Sequence, residues 1–227
     1  MNYRTKKIKG LYVDTVLFDM DGVIVDSMYA HARCWIQVFE EHGVHLDAID
    51  ILKREGMSGL ESIADIFIDK GFPLPPDTIL KNLQKKKLSL FSNYPIEIFP
   101  QIYTIFPFLK SKGKNIGIVT GSFRYLVEQL MPQQLLQHVD VIISVDDVKR
   151  GKPYPDPYVK ALEKLDASND STIVIENAPM GIQAAKAAGL YCVAITTTLD
   201  SSFLTGADAI LHDHNELIVF LMNWCSS

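Results

Sequence analysis

From Ile98 onward, short apolar runs alternate with segments of helical character, and this rhythm constrains the fold more than any other feature of the sequence. The apolar runs are continuous rather than alternating with polar residues, which is typical of strands buried on both faces. Such strands, separated by helices, predict a parallel sheet covered on both sides. An earlier run and five later ones are the predicted strands: 15–18, 115–120, 140–145, 172–176, 191–196 and 207–211. The predicted helices between the later strands are 123–131, 157–165, 179–188 and 216–224.

The segment that follows the first predicted strand has a different character. Helical periodicity runs through Ala30, Cys34 and Val38, a turn-rich GFPLPPD occupies 71–77, and a further helix continues through Lys87. We interpret this segment as a helical insertion that lies over the strand ends. The predicted fold class is α/β, with a parallel-sheet core of residues 1–26 and 97–227 and an inserted α-helical cap of residues 27–96.

Composition and charge exclude several classes of function. Hydrophobic residues make up 48% of the 227 residues and charged residues 22%, an ordinary globular composition. The net charge of −5 argues against nucleic-acid binding, and the lysine run 85–87 is interpreted as a solvated helix face. Three cysteines without CxxC spacing indicate reduced thiols and no zinc site. No apolar run approaches the roughly 20 residues that span a bilayer. We therefore expect a cytoplasmic protein, a monomer or weak homodimer, with no nucleic-acid or membrane partner.

The run TVLFDMDG places two acidic residues at the end of the first predicted strand. Residues two apart in an extended chain point to the same side, so Asp19 and Asp21 face one small volume. Two carboxylates so close repel each other unless a cation lies between them or one is protonated. Alternatively DMDG is only a turn, since Asp and Gly are common turn residues.

A second segment, VTGS, ends another predicted strand with groups that suit phosphate. Thr120 offers a hydroxyl beside the backbone donors of Gly121 and Ser122. Ser122 is also a good N-cap for the next helix, a structural role that is compatible with phosphate binding.

Two further segments add a cation and a polar pair. In RGKPYPDP, Lys152 stands in a rigid proline-rich turn, and in VIENAPMG, Glu176 and Asn177 end a buried strand. ENAP is also explained as a loop and a helix start, because Pro179 suits a first helical turn. Each segment alone is more often structural than catalytic.

Taken in this order, the segments FDMDG, IVTGS, GKPYPDPY and VIENAPMGIQAAKAAG resemble the haloacid dehalogenase superfamily of phosphotransferases, over nearly the full length of the chain. The cap start DSMYAHARCW, with His31 and Trp35, is similar to the beta-phosphoglucomutase-like subgroup with its helical C1 cap. The resemblance implies a Rossmann-like core and a small phosphorylated substrate.

The resemblance also implies roles for the acidic residues and their neighbours. Asp19 would be the nucleophile that forms an aspartyl-phosphate, and Asp21 the acid/base that moves protons. Thr120, with the nearby amides of Gly121 and Ser122, would hold the phosphoryl oxygens.

A magnesium ion and a lysine would supply positive charge in such a site. The implied magnesium ligands are Asp19, the backbone carbonyl of Asp21 and Asn177, and Lys152 would add a second cation. Many relatives have an aspartate at the position of Asn177, so this chain has one negative charge fewer at the implied magnesium site. Glu176 would then be either a direct ligand or a neighbour of one.

The expected substrate contacts lie in the cap and beside VTGS. His31 is similar to a cap histidine that governs proton transfer in mutases, or is an ordinary residue of a packed helix. Glu55 and Gly59 fall where beta-phosphoglucomutase has a lysine and an arginine, and Phe123 falls where it has a lysine. Arg124, next door, is a candidate substitute for that lysine.

These features predict a magnesium-dependent phosphohydrolase acting on a small phosphorylated metabolite. Beta-phosphoglucomutase is an alternative that the missing cations weaken. Inorganic pyrophosphatase is another, because similar cap loops with a glutamate at the position of Glu55 belong to such enzymes; Glu55 is equally explained as a solvated surface residue. A non-catalytic phosphate-binding module is the least supported alternative, since Asp19 and Lys152 are both present.

Overall fold

A six-stranded parallel sheet forms the centre of the protein. The computed structural model describes residues 13–225, with Cys225 described by its backbone alone. The sheet order is β5-β4-β1-β6-β7-β8, and β2 and β3 form a separate antiparallel pair. The strands are β1 (Thr15–Phe18), β2 (Val25–Asp26), β3 (Glu97–Ile98), β4 (Asn115–Val119), β5 (Val141–Ile143), β6 (Thr172–Glu176), β7 (Tyr191–Ile195) and β8 (Ala209–Leu211).

Helices cover both faces of this sheet and fill the insertion after β2. The α-helices are α1 (Met28–Glu40), α2 (Ala48–Leu52), α3 (Gly59–Asp69), α4 (Asp77–Phe91), α5 (Ile102–Ser111), α6 (Arg124–Leu130), α7 (Gln133–Leu136), α8 (Asp156–Leu165), α9 (Pro179–Ala187) and α10 (His214–Cys225). Short 3-10 turns occur at Val145–Asp147, Asn169–Ser171 and Ser201–Phe203. The predicted α/β fold is confirmed.

Burial on both faces explains why the strand sequences are continuously apolar. Along β1, Val16 and Phe18 belong to the hydrophobic core on one side of the sheet, and Leu17 belongs to the core on the other. Strands β1 and β6 have the predicted bounds. Strand β5 is shorter than predicted because Ser144 caps the 3-10 turn that follows it.

The insertion is built from α1 to α4, which lie between the paired strands β2 and β3. It has its own apolar cluster, in which Trp35 and Phe39 of α1 pack with Phe67 of α3 and Leu83 of α4. Assigning residues 27–96 to a separate domain stays a prediction, and residues 1–12 of the predicted core lie outside the described residues.

One prediction for the insertion is wrong. Lys85 and Lys86 are exposed as expected of a solvated face, but Lys87 is buried. The reason is its position on α4, since it follows Leu80 and Leu83 on the buried stripe of that helix.

The remaining expectations concern the cysteines and membrane-spanning segments. Cys34 and Cys192 are buried and free. Among the residues described, none of the helices is both long and apolar enough to cross a membrane.

Candidate active site

The carboxyl ends of three neighbouring strands bring the predicted residues together. In the sheet β1 lies between β4 and β6, with Phe18 opposite Ile118 and Ile175. Asp19 and Thr120 therefore follow adjacent strands, and Glu176 is the last residue of β6. Ligands of open α/β sheets bind beyond this edge.

Lys152 joins the two carboxylates at this edge. Its Nζ donates hydrogen bonds to Asp19 Oδ1 and Glu176 Oε1, both at 2.6 Å, and to the carbonyl oxygen of Val119 at 3.0 Å. Only 1% of the Lys152 surface is exposed. A buried ammonium thus lies between two buried carboxylates, and all three donor hydrogens have acceptors.

Glu176 is held by two further donors. The Tyr158 hydroxyl donates to Oε1 at 2.7 Å, and the backbone N–H of Asn177 donates to Oε2 at 3.1 Å. Gly181 makes room for this carboxylate, because a Cβ there would overlap with it. Both oxygens of Glu176 thus already accept hydrogen bonds, an arrangement that positions Lys152. Sequence reasoning missed Tyr158, although it stands within the GKPYPDPY segment.

Two carboxylates share one cation, and the pKa values reflect it. Burial raises the pKa of Asp19 well above its usual range; the ammonium of Lys152 opposes this shift, while Glu176 adds to it. For Lys152, burial would lower the pKa, but Asp19 and Glu176 outweigh it and raise the pKa. The lysine is therefore charged at neutral pH. One ammonium does not balance two ionised carboxylates, so a further cation beside them would be favourable.

The side-chain oxygen of Asn177 can accept a hydrogen bond but has no donor. Its Nδ2 donates to Thr198 Oγ1 at 2.8 Å. Its Oδ1 is the only buried side-chain oxygen or nitrogen among the described residues without a hydrogen-bond partner. Such an atom needs an explanation, and an oxygen-preferring cation provides one.

Asp21 is surrounded by donors. Oδ1 accepts from the Ser27 hydroxyl at 2.6 Å and lies 3.2 Å from His31 Nε2, and Oδ2 accepts from the Ser122 hydroxyl at 2.8 Å. Burial alone would raise the pKa of Asp21, but His31 and the two serines outweigh it and hold the pKa below its usual range. Asp21 is therefore ionised and fixed in orientation.

His31 connects Asp21 to the buried lysine of α4. The Nζ of Lys87 lies 2.7 Å from His31 Nδ1. When Lys87 is charged it can only donate, and Nδ1 is then the acceptor of this contact. Burial lowers the pKa of Lys87, although Glu55 and Asp21 oppose the shift. Sequence reasoning missed Lys87, and its signal was its place on the apolar stripe of α4.

The VTGS loop lies directly under the cap. The backbone N–H of Ser122 donates to Thr120 Oγ1 at 3.0 Å. A Cβ at Gly121 would be 2.7 Å from the carbonyl oxygen of Gly56 and 3.0 Å from that of Met57. The absence of a side chain at Gly121 therefore lets the cap loop approach the strand ends.

A cavity of about 50 Å³ lies between cap and core, lined by His31, Glu55, Gln84, Lys87, Gly121 and Ser122 among others. Glu55 is half-buried, and potential ligand atoms of Glu55, Asp21 and His31 lie within 4.8 Å of one another. Burial raises the pKa of Glu55; His31 opposes the shift and Asp21 adds to it. Glu55 thus faces the site rather than bulk solvent.

Comparison with known proteins shows the family of the chain. The family model for haloacid dehalogenase-like hydrolases matches residues 16–195. The chain belongs to this family. The expected family and the expected kind of enzyme, a phosphatase or closely related phosphotransferase, are confirmed.

Individual relatives agree with the family assignment. The chain is 32% identical to validoxylamine A 7'-phosphate phosphatase of Streptomyces hygroscopicus subsp. limoneus, over 88% of this chain and 94% of that protein. It is 27% identical to beta-phosphoglucomutase of Bacillus subtilis, over 92% and 93%. A solved structure from Bacteroides vulgatus, provisionally called a beta-phosphoglucomutase, has a TM-score of 0.85 and 29% identity, covering 96% of this chain and 93% of its own. The likeness to the beta-phosphoglucomutase-like subgroup is confirmed.

Among the residues predicted to contact substrate, Arg124 is the one that lies away from the cluster. Its Nη2 donates to Asp147 Oδ2 at 2.7 Å and to the carbonyl oxygen of Ile142 at 2.8 Å. Phe123 does line the cavity. Arg124 thus makes its ion pair beside β5, and the position next to VTGS presents an aromatic ring instead of a cation.

The cations on the cap side of the cavity already have hydrogen-bond partners. Of the described residues that line it, Arg54 and Lys87 are the cations. The Arg54 guanidinium is bound by Asp65, Asp69 and the Asp50 carbonyl, and Lys87 is bound to His31. Space beside Gly59 is filled, since a Cβ there would lie 2.5 Å from Gln84 Nε2.

Proposed function

We propose that this protein is a magnesium-dependent phosphohydrolase that acts on a small phosphorylated metabolite through an aspartyl-phosphate on Asp19. The observation that carries the proposal is the buried cluster in which Lys152 bridges Asp19 and Glu176, next to the unpartnered Oδ1 of Asn177. A non-catalytic phosphate-binding module would not need this arrangement of buried charges.

Two steps follow from the positions of Asp19 and Asp21. In the first, a carboxylate oxygen of Asp19 bonds to phosphorus while the ester P–O bond breaks, and Asp21 gives a proton to the leaving oxygen. The incoming phosphate dianion raises the pKa of Asp21 and so favours the protonated form that this step requires. In the second step, Asp21 takes a proton from the water that attacks the phosphorus and frees Asp19.

Other residues hold charge and geometry during these steps. Lys152 keeps Asp19 in place through Oδ1, and Ser27, Ser122 and His31 orient Asp21. In this proposal Thr120 and the adjacent backbone donors bind the phosphoryl oxygens.

The residues present fit a magnesium ion. Asp19, the backbone carbonyl of Asp21 and the unpartnered Asn177 Oδ1 are oxygen donors, which Mg²⁺ prefers. When bound, Mg²⁺ supplies positive charge between the nucleophilic carboxylate and the phosphoryl oxygens. Glu176, whose oxygens accept from Lys152, Tyr158 and Asn177, acts in this proposal by positioning Lys152.

The cavity favours a leaving group that carries no second phosphate. Glu55 is a carboxylate facing the site, Arg54 is paired with acidic residues of α3, and Lys87 donates to His31. A distal phosphate would meet repulsion from Glu55, whereas alcohol hydroxyls can bond to Glu55 and Gln84. This favours a phosphomonoester of a small polyhydroxylated alcohol over a bisphosphate or pyrophosphate. The cavity holds only a few waters, so substrate entry requires the cap to move away.

The test is phosphate release by the purified protein with Mg²⁺, across polyol, hexose and pentose phosphates, nucleotides and pyrophosphate. Beta-glucose-1-phosphate is followed in parallel by a coupled assay for glucose-6-phosphate. We expect release from a sugar or polyol monophosphate to exceed the rest. Isomerisation without release would establish a mutase. Dominant pyrophosphate hydrolysis would establish a pyrophosphatase, in which Glu55 faces a magnesium-chelated diphosphate. Phosphate release from no compound, with no isomerisation, would contradict the proposal.

Removal of divalent cations is expected to abolish turnover. Without Mg²⁺ the phosphate dianion faces Asp21 and also Asp19 and Glu176, which share the cation Lys152, so the anions repel one another. Activity should fall to background after exhaustive EDTA treatment and return on addition of excess Mg²⁺. Full activity in EDTA would remove the metal from this account.

A further inference from the structure

An asparagine ligand differs from an aspartate in that only one of its two orientations offers oxygen. Turning the Asn177 amide by half a turn exchanges Oδ1 for Nδ2, whose hydrogens repel a cation. The structure holds one orientation, with Nδ2 donating to Thr198 Oγ1 at 2.8 Å and Oδ1 buried without a partner. We propose that Thr198 is a positioning residue that turns Asn177 Oδ1 towards the divalent cation. This inference rests on the proposed function.

The packing around the amide supports this role. A Cβ at Gly22 would overlap with Asn177 Nδ2 and lie 2.7 Å from Thr198 Oγ1, so the amide and hydroxyl fill the space left by the glycine. The neighbouring Thr197 donates to the Gly22 carbonyl oxygen at 2.6 Å and fixes that turn. Thr198 thus meets Asn177 in a rigid setting, across the adjacent strands β6 and β7.

The Thr198 hydroxyl accepts from the N–H of Asn177, which leaves the oxygen of the amide on the opposite side. A hydroxyl can also donate, so the amide is fixed by two contacts together, Thr198 on one side and the cation on the other. Valine has nearly the shape of threonine and no acceptor, so it removes the preference for this orientation. A carboxylate at position 177 would present an oxygen on both sides and would need no such selection.

The experiment measures binding of Mn²⁺ alone, as a spectroscopic substitute for Mg²⁺, to the purified full chain by electron paramagnetic resonance. Outer contacts to metal ligands commonly change affinity by tenfold or more. We expect Thr198→Val to weaken Mn²⁺ binding about tenfold. Thr198→Ser, which keeps the hydroxyl, should stay within about twofold of wild type. Thr196→Val is the matched control, because that hydroxyl bonds to the His212 carbonyl and should leave binding unchanged.

A second pair of variants separates orientation from general packing. In an Asn177→Asp background, Thr198→Val should cost less than about twofold, because either carboxylate oxygen reaches the cation. Wild-type affinity in Thr198→Val would overturn the inference while leaving the magnesium site intact. An equal loss in both backgrounds would also overturn it, by showing a structural role. Failure of the wild-type chain to bind Mn²⁺ at all would overturn the proposed function and this inference with it.

Discussion

Replacement of Asp19 by asparagine is expected to lower the rate of phosphate release at least about a thousandfold, as losses of catalytic nucleophiles commonly do. The amide oxygen is a poor nucleophile, yet it can still accept the hydrogen bond that Lys152 gives to Oδ1. Lys152 also keeps its bond to Glu176, so the fold should persist. Initial rates on the best substrate, compared with wild type, measure the loss.

The matched control for this variant is Asp166→Asn. Asp166 directly follows α8 and caps it in the left-handed backbone region, with φ 50°, a conformation that asparagine also adopts readily. The control should keep full activity. If Asp19→Asn retained more than a tenth of the wild-type rate, covalent catalysis by Asp19 would be wrong.

Replacement of Lys152 by methionine is expected to abolish activity and to destabilise the fold. Removing one partner of a buried ion pair leaves uncompensated charge and costs about 3 kcal/mol or more of unfolding free energy. Here Asp19 and Glu176 would both lose the ammonium that lies 2.6 Å from each. Chemical denaturation without Mg²⁺ measures the loss, and Lys149→Met, an exposed change in the same loop, is the control.

The destabilisation should depend on pH in a defined direction. Lys152 opposes the rise that burial imposes on the Asp19 pKa, so its removal raises that pKa further. A carboxyl whose folded-state pKa is raised binds more protons folded than unfolded, and its contribution to stability therefore falls as pH rises. The deficit of Lys152→Met should be smaller at pH 5 than at pH 8. A deficit that grows towards pH 5 would contradict the charge assignment of the cluster.

The central sheet could be predicted from sequence because burial on both faces makes strands continuously apolar. The segments 15–18 and 172–176 carry this signal without interruption, and their bounds agree with β1 and β6. The strand-end rule then placed Asp19, Thr120 and Glu176 at one edge. Exact ends of other strands depend on local capping, as at Ser144, which apolar periodicity does not encode.

Contacts between distant segments could not be predicted in the same way. Lys87 meets His31 across 56 positions of sequence, and only the stripe that it shares with Leu83 on α4 distinguishes it from the exposed Lys86. Likewise, nothing in the sequence TTT at 196–198 shows which threonine meets Asn177. The tertiary packing of cap and core decides these contacts.

Direct trapping of the phosphorylated residue tests the central claim, that Asp19 carries the phosphoryl group. The Asp21→Ala variant lacks the base of the second step, and a substrate such as p-nitrophenyl phosphate, whose leaving group needs no proton, spares it the acid of the first. The variant is mixed with this substrate, quenched in acid and reduced with borohydride, which converts an aspartyl-phosphate to homoserine. Peptide mass spectrometry then locates the change. We expect homoserine at position 19, and none when Asp19 is also replaced by asparagine. Substrate-dependent turnover with Asp19 unmodified throughout would contradict the central claim.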